Sequence, residues 1–286
     1  MTLMNSIYEV NKLIYATEDW KKNNETIALV PTMGSLHAGH IYLIKEAKKL
    51  ASKTVVSIFV NPIQFGRGED YESYPSSIDA DKKMLETEGV DLIFIPNLSE
   101  LYPLGTDVDT RVTVPQISEI LCGKHRPGHF SGVATVVTKL LVSCSPNFAL
   151  FGKKDYQQLL VIKRMVSDLL IPTTILGMPT QRDTDGLALS SRNRYLSERE
   201  RTFAPKIYSS LLRASDVLKK KGPQYFYKVK KEIIAELESK EMKVEYFEMR
   251  KAQDLSVPEK NDKGLVILIA VWLGKARLID NIGVEL

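Results

Sequence analysis

Short apolar runs alternate with stretches of helical periodicity through the first 176 residues of the chain. Thr26–Pro31 (TIALVP), Val55–Val60 (VVSIFV), Asp91–Ile95 (DLIFI), Phe148–Phe151 and Thr173–Leu176 read as buried strands. Between them His40–Leu50, Asp79–Gly89, Gly132–Val142 and Tyr156–Leu170 carry apolar residues at helical spacing, with Gly89 and Pro172 as stops. Strand–helix–strand alternation of this kind predicts right-handed βαβ units and a largely parallel sheet. The pattern then changes. Ser197–Lys221 and Gln224–Lys240 read as amphipathic helices, followed by Val244–Arg250, Leu265–Leu273 and Arg277–Asn281 as antiparallel strands. Gly177 and Pro179 supply a turn between the two regimes. The expected class is α/β: residues 1–176 as a parallel-sheet domain and 177–286 as a smaller α+β domain.

Composition narrows the function classes. Of 286 residues, 44% are hydrophobic and 26% charged, ordinary for a globular chain and unlike a disordered one. Lys and Arg number 39 against 35 Asp and Glu, and a net +4 spread over the chain does not call for a nucleic-acid partner. Lys219–Lys221 and Lys228–Lys231 (KVKK) read as solvated helix faces. The longest clean apolar run, Leu265–Leu273, lies between Gly264 and Gly274. It is about half the roughly twenty residues a membrane helix needs, so no membrane span is expected. The N-terminal stretch lacks a basic leader before an unbroken apolar segment and carries an acid by Glu9, so it does not read as a signal peptide. Cys122 and Cys144 form no CxxC and read as buried free thiols, for which a reducing cytoplasm is the simplest compartment.

Familiar phosphate motifs are missing. Gly123-Lys124 has Ser118 where a P-loop needs its first glycine, and Gly66-Arg67-Gly68 is followed by Tyr71 where a dinucleotide fingerprint needs its third. The informative segment is Pro31–His40, PTMGSLHAGH, leading from a strand directly into a helix. Gly34 and Gly39 allow close backbone approach, and a helix start presents unpaired N–H groups that favour phosphate. His37 and His40, three apart, share one face of the first turn and could donate to phosphoryl oxygens as charge builds there. The alternative is that they only cap the helix. Gly152–Gln158 (GKKDYQQ) also follows a strand; Lys153, Lys154 and Asp155 suit a phosphate and an adenosine hydroxyl, though alone they would pass for a solvated loop. Gln181–Asn193 (QRDTDGLALSSRN) follows the last strand of the first domain, and Ser190, Ser191 and Arg192 suit pyrophosphate oxygens. All three fall at carboxyl ends of expected strands, where an open α/β sheet builds its crevice. Asn61–Phe65 (NPIQF) ends another strand; Gln64, with Gln158 facing it, suits a small polar acid, or else the two bridge buried structure. Asp79 and Asp81 could meet a metal through water, or simply start a helix.

Taken in order, PTMGSLHAGH, VSIFVNPIQF, RPGHFSGV, FGKKDYQQ and DGLALSSRN resemble the pantothenate synthetases (pantoate–β-alanine ligases) of the HxGH nucleotidyltransferase superfamily, and the similarity runs from about Ile27 through LGKARLIDN (273–281). The resemblance implies a Rossmann-like N-terminal domain, a smaller C-terminal domain closing over the site, and a homodimer. It implies a reaction in which ATP and the (R)-pantoate carboxylate form pantoyl adenylate and pyrophosphate. The β-alanine amine then takes the acyl group, releasing pantothenate and AMP. By similarity Met33, Gly34, Ser35, Leu36, His37, Ala38, Gly39 and His40 bind ATP, with His37 and His40 as the HxGH pair. His40 matches the family's proton donor; because an attacking carboxylate has no proton to lose, its work reads as phosphate stabilisation. Gly152, Lys153, Lys154 and Asp155 hold ATP, with Lys154 on the phosphates. Leu189, Ser190, Ser191 and Arg192 close over the phosphates, and the Gln181 backbone lies near adenine. Gln64 and Gln158 bind pantoate. Mg²⁺ accompanies ATP, and no protein metal site is implied. Lys153, Ala38 and Ser76 depart from the usual family pattern, without removing a group the mechanism needs. His129 in RPGHF has no role readable from sequence. The competing readings are an HxGH nucleotidyltransferase with a phosphate-bearing acceptor, and an RNA-binding module using the lysine-rich helices.

Overall fold

The computed structural model describes residues 5–66, 68–75 and 77–286; Arg67 and Ser76, singled out above, lie outside the described residues. In chain order the elements are β1 (Asn5–Ile7), α1 (Val10–Lys22), β2 (Ile27–Thr32), α2 (Ala38–Leu50), β3 (Lys53–Ile58), α3 (Ile78–Thr87), β4 (Leu92–Phe94), α4 (Leu98–Leu101), α5 (Cys122–His125), α6 (His129–Cys144), β5 (Phe148–Gly152), α7 (Tyr156–Asp168), β6 (Thr174–Met178), α8 (Glu198–Phe203), α9 (Lys206–Lys221), α10 (Phe226–Glu238), β7 (Met242–Lys251), β8 (Gly264–Leu273) and β9 (Ala276–Glu285). The chain divides into two compact units, Met1–Lys153 with Gln158–Pro179, and Lys154–Gln157 with Thr180–Leu286.

The first unit is built on a six-stranded sheet in the order β1-β4-β3-β2-β5-β6, parallel at every pairing. Its strands read as unbroken apolar runs because helices cover both faces. One face sets Ala28 and Val30 of β2, Val56 and Ile58 of β3, Ile93 of β4 and Leu150 of β5 against Leu43, Ile44 and Ala47 of α2 and Leu85 of α3. The strand order reverses direction between β2 and β5. In a doubly wound sheet that switch opens a crevice at the carboxyl ends of the two strands. There the chain places the loop leading to His37 after β2, with Gly152 as the last residue of β5 and Lys153 directly after it.

The second unit has a three-stranded antiparallel sheet, β7-β8-β9. Its central strand is the nine-residue apolar run of the sequence: Leu265, Ile267, Ile269, Val271 and Leu273 alternate into one core. Ile207, Leu211, Ala214 and Leu218 of α9 and Phe226, Val229, Ile233 and Leu237 of α10 pack there, at the spacing of a helix with one buried face.

Two expectations about elements are corrected. Ser197–Lys221 is not one helix. Pro205 lacks an N–H and its ring crowds the preceding turn, so the segment breaks into α8 and α9. The strand expected at Val55–Val60 runs from Lys53 to Ile58, in register with Ile27–Thr32 of β2. β1 and α1 were not predicted; β1 is three residues long and, among the described residues, pairs with β4 alone. Both cysteines are buried and neither is in a disulfide, and burial pushes the Cys144 thiol up to about 12, so it is inert at neutral pH. Among the described residues no helix is long and apolar enough to cross a membrane.

Candidate active site

The segment from β2 into α2 is a tightly held loop. Gly34 and Ser35 both adopt left-handed backbone, with φ of 78° and 51°. A glycine is required at the first of these: a Cβ there would lie 3.0 Å from Asp81 Oδ2 and 3.2 Å from Ile58 Cγ2. The Gly34 amide donates to Thr32 Oγ1, and that hydroxyl donates to the Ser57 carbonyl, tying the loop to β3. The Ser35 and Leu36 amides each donate to one oxygen of the Asp81 carboxylate at 2.8 Å. Asp81, on the first turn of α3, is 3% exposed.

At the start of α2 the two histidines cap the helix reciprocally. His37 is the N-cap residue and its Nδ1 accepts from the Gly39 amide at 3.1 Å; His40 Nδ1 accepts from the His37 amide at 3.3 Å. This is a capping box made of imidazoles. The rings stand 4.1 Å apart between centroids. A ring nitrogen that accepts carries no proton, so in each neutral ring the proton sits on Nε2. The capping and phosphate readings of these histidines are therefore compatible: Nδ1 caps, and a phosphate donor would be Nε2–H. Of the helix-start amides, that of Gly39 is taken by His37 Nδ1 and that of His40 by the His37 carbonyl, and the loop amides ahead of the helix are also engaged. Those of Ser35, Leu36 and His37 bond within the protein, because the turn folds back on Asp81 and on the His40 ring.

Gln64 ends the short 3₁₀ turn after β3 and is 8% exposed. Its Nε2 donates to Met33 Sδ at 2.8 Å, and its Oε1 accepts from Asn61 Nδ2 at 3.3 Å. Asn61 also donates to the Gly132 carbonyl and accepts from the Tyr102 hydroxyl at 2.9 Å. Burial raises the Tyr102 phenol above its ordinary value, so it stays a donor. Gly132 admits no side chain, since a Cβ would lie 2.6 Å from the Ile63 carbonyl oxygen.

His129, without a role in the sequence, now has a place. Its Nδ1 lies 2.7 Å from the Gln64 carbonyl; because a carbonyl only accepts, Nδ1 carries the proton, and Nε2 accepts from Arg126 Nη1 at 3.0 Å. Arg126 grips Glu69 through Nε and Nη2, at 2.6 and 2.5 Å. Burial alone would raise the Glu69 carboxyl, but its hydrogen bonds to Arg126 and that charge outweigh it and hold it below the ordinary value. Gln158 is half-buried on α7, and among the described residues no hydrogen bond joins it to Gln64. Lys153 is exposed, with its stem beside Gly177.

The second unit carries the remaining candidates. The Lys154 carbonyl accepts from Asn281 Nδ2 at 2.9 Å, and its ammonium lies 3.8 Å from Asp155 Oδ2. Gln181–Leu189 forms a narrow hairpin: the Leu189 amide donates to the Gln181 carbonyl, and Arg182 pairs with Ala188. Arg182 binds both oxygens of Asp280 at 2.6 and 2.9 Å and stacks on Tyr208 at 3.5 Å. Ser190 caps the following turn by accepting from the Arg192 amide. Lys154, Ser190, Asn193 and Asp280 line one small cavity together with apolar neighbours.

Comparison with known proteins places this geometry. A sequence model of the family described as pantoate-beta-alanine ligase matches residues 3–283. The chain belongs to the pantoate-beta-alanine ligase family. It is 46% identical to the pantothenate synthetase of Pseudomonas fluorescens SBW25, over 99% of this chain and 100% of that protein. Its fold matches a crystal structure of the pantothenate synthetase from Thermus thermophilus with a TM-score of 0.91 at 41% identity, covering 98% of this chain and 99% of that one. It also matches the Francisella tularensis pantoate-beta-alanine ligase complexed with beta-gamma ATP and beta-alanine. There the TM-score is 0.83 at 38% identity, with 98% of this chain and 97% of that one covered. Whole-length agreement with this family disfavours the RNA-binding reading and the phosphate-acceptor reading together.

Proposed function

We propose that the protein condenses (R)-pantoate with β-alanine at the expense of ATP, through a pantoyl adenylate. The observation that carries this reading is the imidazole capping box that follows β2 at the switch point of a parallel sheet. It is supported by full-length membership of the ligase family. A pantoate carboxylate oxygen attacks the α-phosphorus of ATP and pyrophosphate leaves. The β-alanine amine then attacks the acyl carbon, and the acyl–oxygen bond breaks to release AMP. Charge accumulates on phosphoryl oxygens in the first step, and His37 and His40 donate to them through Nε2–H. The remaining loop residues, Met33–Gly39, shape the approach of ATP. Gly152, Lys153, Lys154 and Asp155, with Gln181 and Leu189–Arg192, supply the other nucleotide contacts; Lys154 and Arg192 bring the cations suited to phosphate. No residue acts as a covalent nucleophile, so catalysis is alignment and charge stabilisation.

Mg²⁺ enters with ATP. Among the described residues no group of three or more His, Cys, Asp or Glu is gathered to hold an ion, and both Asp81 oxygens are occupied by amides. The donor set therefore fits an ion carried on the nucleotide phosphates rather than in a protein cage. A cytoplasmic homodimer accords with the same family reading.

Isotope transfer tests the chemistry. With ¹⁸O in the pantoate carboxylate, one label is expected in the AMP phosphate; unlabelled AMP would contradict attack by the carboxylate on phosphorus. Gln64 and Gln158 are assigned to pantoate. Gln64→Ala is expected to raise the pantoate KM roughly 10- to 100-fold, the scale of a lost hydrogen bond to a charged ligand, and to leave the ATP KM unchanged. Equal losses for both substrates would count against the assignment.

A further inference from the structure

Two consecutive left-handed residues, Gly34 and Ser35, turn the Ser35 and Leu36 amides toward a common point. Such a concave pair of N–H groups is an anion seat, the device many loops use for phosphate. Here the seat is already filled by a carboxylate of the same chain. Asp81 reaches it from α3, 46 residues further along, and gives one oxygen to each amide at 2.8 Å. The two amide donors stand immediately before His37, whose own amide sets the tautomer of His40. Resting on the ligase reading above, we infer that Asp81 is a positioning residue for the histidine pair. Its carboxylate is the permanent anion of the loop, and it fixes the backbone from which His37 and His40 aim Nε2–H at the reacting phosphate. Phosphate recognition by this loop then falls to side chains, and Asp81 is not a metal ligand.

Asp81→Ala is expected to lower the rate of adenylate formation about 100-fold, as a displacement of roughly 1 Å does at a reacting centre, with the pantoate KM unchanged. Formate, a carboxylate small enough for the vacated seat, is expected to restore part of that rate. Asp81→Asn keeps one acceptor and turns an NH₂ toward the other amide, so its loss is intermediate, and its Mg²⁺ half-saturation matches that of the unaltered protein. Asp79→Asn, at an exposed acid two residues away, serves as the control with unaltered turnover. ¹⁵N spectra of the imidazoles read the positioning without turnover. The unaltered protein is expected to hold both rings as Nε2–H tautomers, and Asp81→Ala to give mixtures. A folded Asp81→Ala with unaltered tautomers and rate would overturn the inference, and so would an Asp81→Asn whose loss is repaired by added Mg²⁺. The spectra decide the role of Asp81 even if the chain proved inactive toward pantoate, a failure that would fall on the proposed function instead.

Discussion

Replacing His40 by alanine is expected to slow adenylate formation by roughly 10²- to 10³-fold, the scale of one lost transition-state donor. Alanine removes two things at once: the Nδ1 that accepts the His37 amide, and the Nε2–H proposed above as the phosphate donor. Two further substitutions separate them. Asparagine places an acceptor near the Nδ1 position and nothing at Nε2, so His40→Asn keeps the cap and is expected to be as slow as alanine. Glutamine carries an amide donor near the Nε2 position without the cap acceptor, so His40→Gln is expected to retain part of the rate. Single-turnover formation of pyrophosphate in folded variants is the measurement. A folded His40→Asn with near-normal turnover would remove His40 from the chemistry and leave it a cap.

The largest expected loss of stability lies in the second unit. Asp280 is 4% exposed, accepts both terminal nitrogens of Arg182, and accepts the Asn281 amide at 2.8 Å. Asp280→Ala strands the guanidinium over Tyr208 with only the Gly186 carbonyl left to it among these partners. Breaking one side of a buried ion pair costs about 3–5 kcal/mol, and a loss of that size is expected in the denaturant-unfolding free energy of this variant. A loss under about 1 kcal/mol would mean the pair is no better than a solvent-exposed one. The neighbouring Asn281 holds the Lys154 carbonyl, so the disturbance is also expected to weaken ATP binding.

The parallel sheet was legible because its strands are apolar on both faces and punctuated by glycine and proline, as in β2 and β5. The histidine segment was legible because glycines and imidazoles at a strand-to-helix junction narrow the chemistry. Partners far apart in the chain were not. Asp81 bonds amides 46 and 45 residues away, and His129 a carbonyl 65 residues away, so no local pattern announces either. One signal was available for Asp81. It lies four residues before Leu85, on the face of α3 that packs against the sheet, and an acid on a buried face needs partners. The break at Pro205 was readable by the same kind of local rule, since a proline inside a helical pattern ends the helix before it. β1 carried too little pattern, as three residues cannot show a period.

Pantoate-dependent exchange of labelled pyrophosphate into ATP, with Mg²⁺ present and β-alanine omitted, tests the central claim most directly. The acyl-adenylate account predicts exchange that requires pantoate and vanishes in His40→Ala. A folded, ATP-binding protein that catalyses no exchange, or exchanges equally without pantoate, would contradict it.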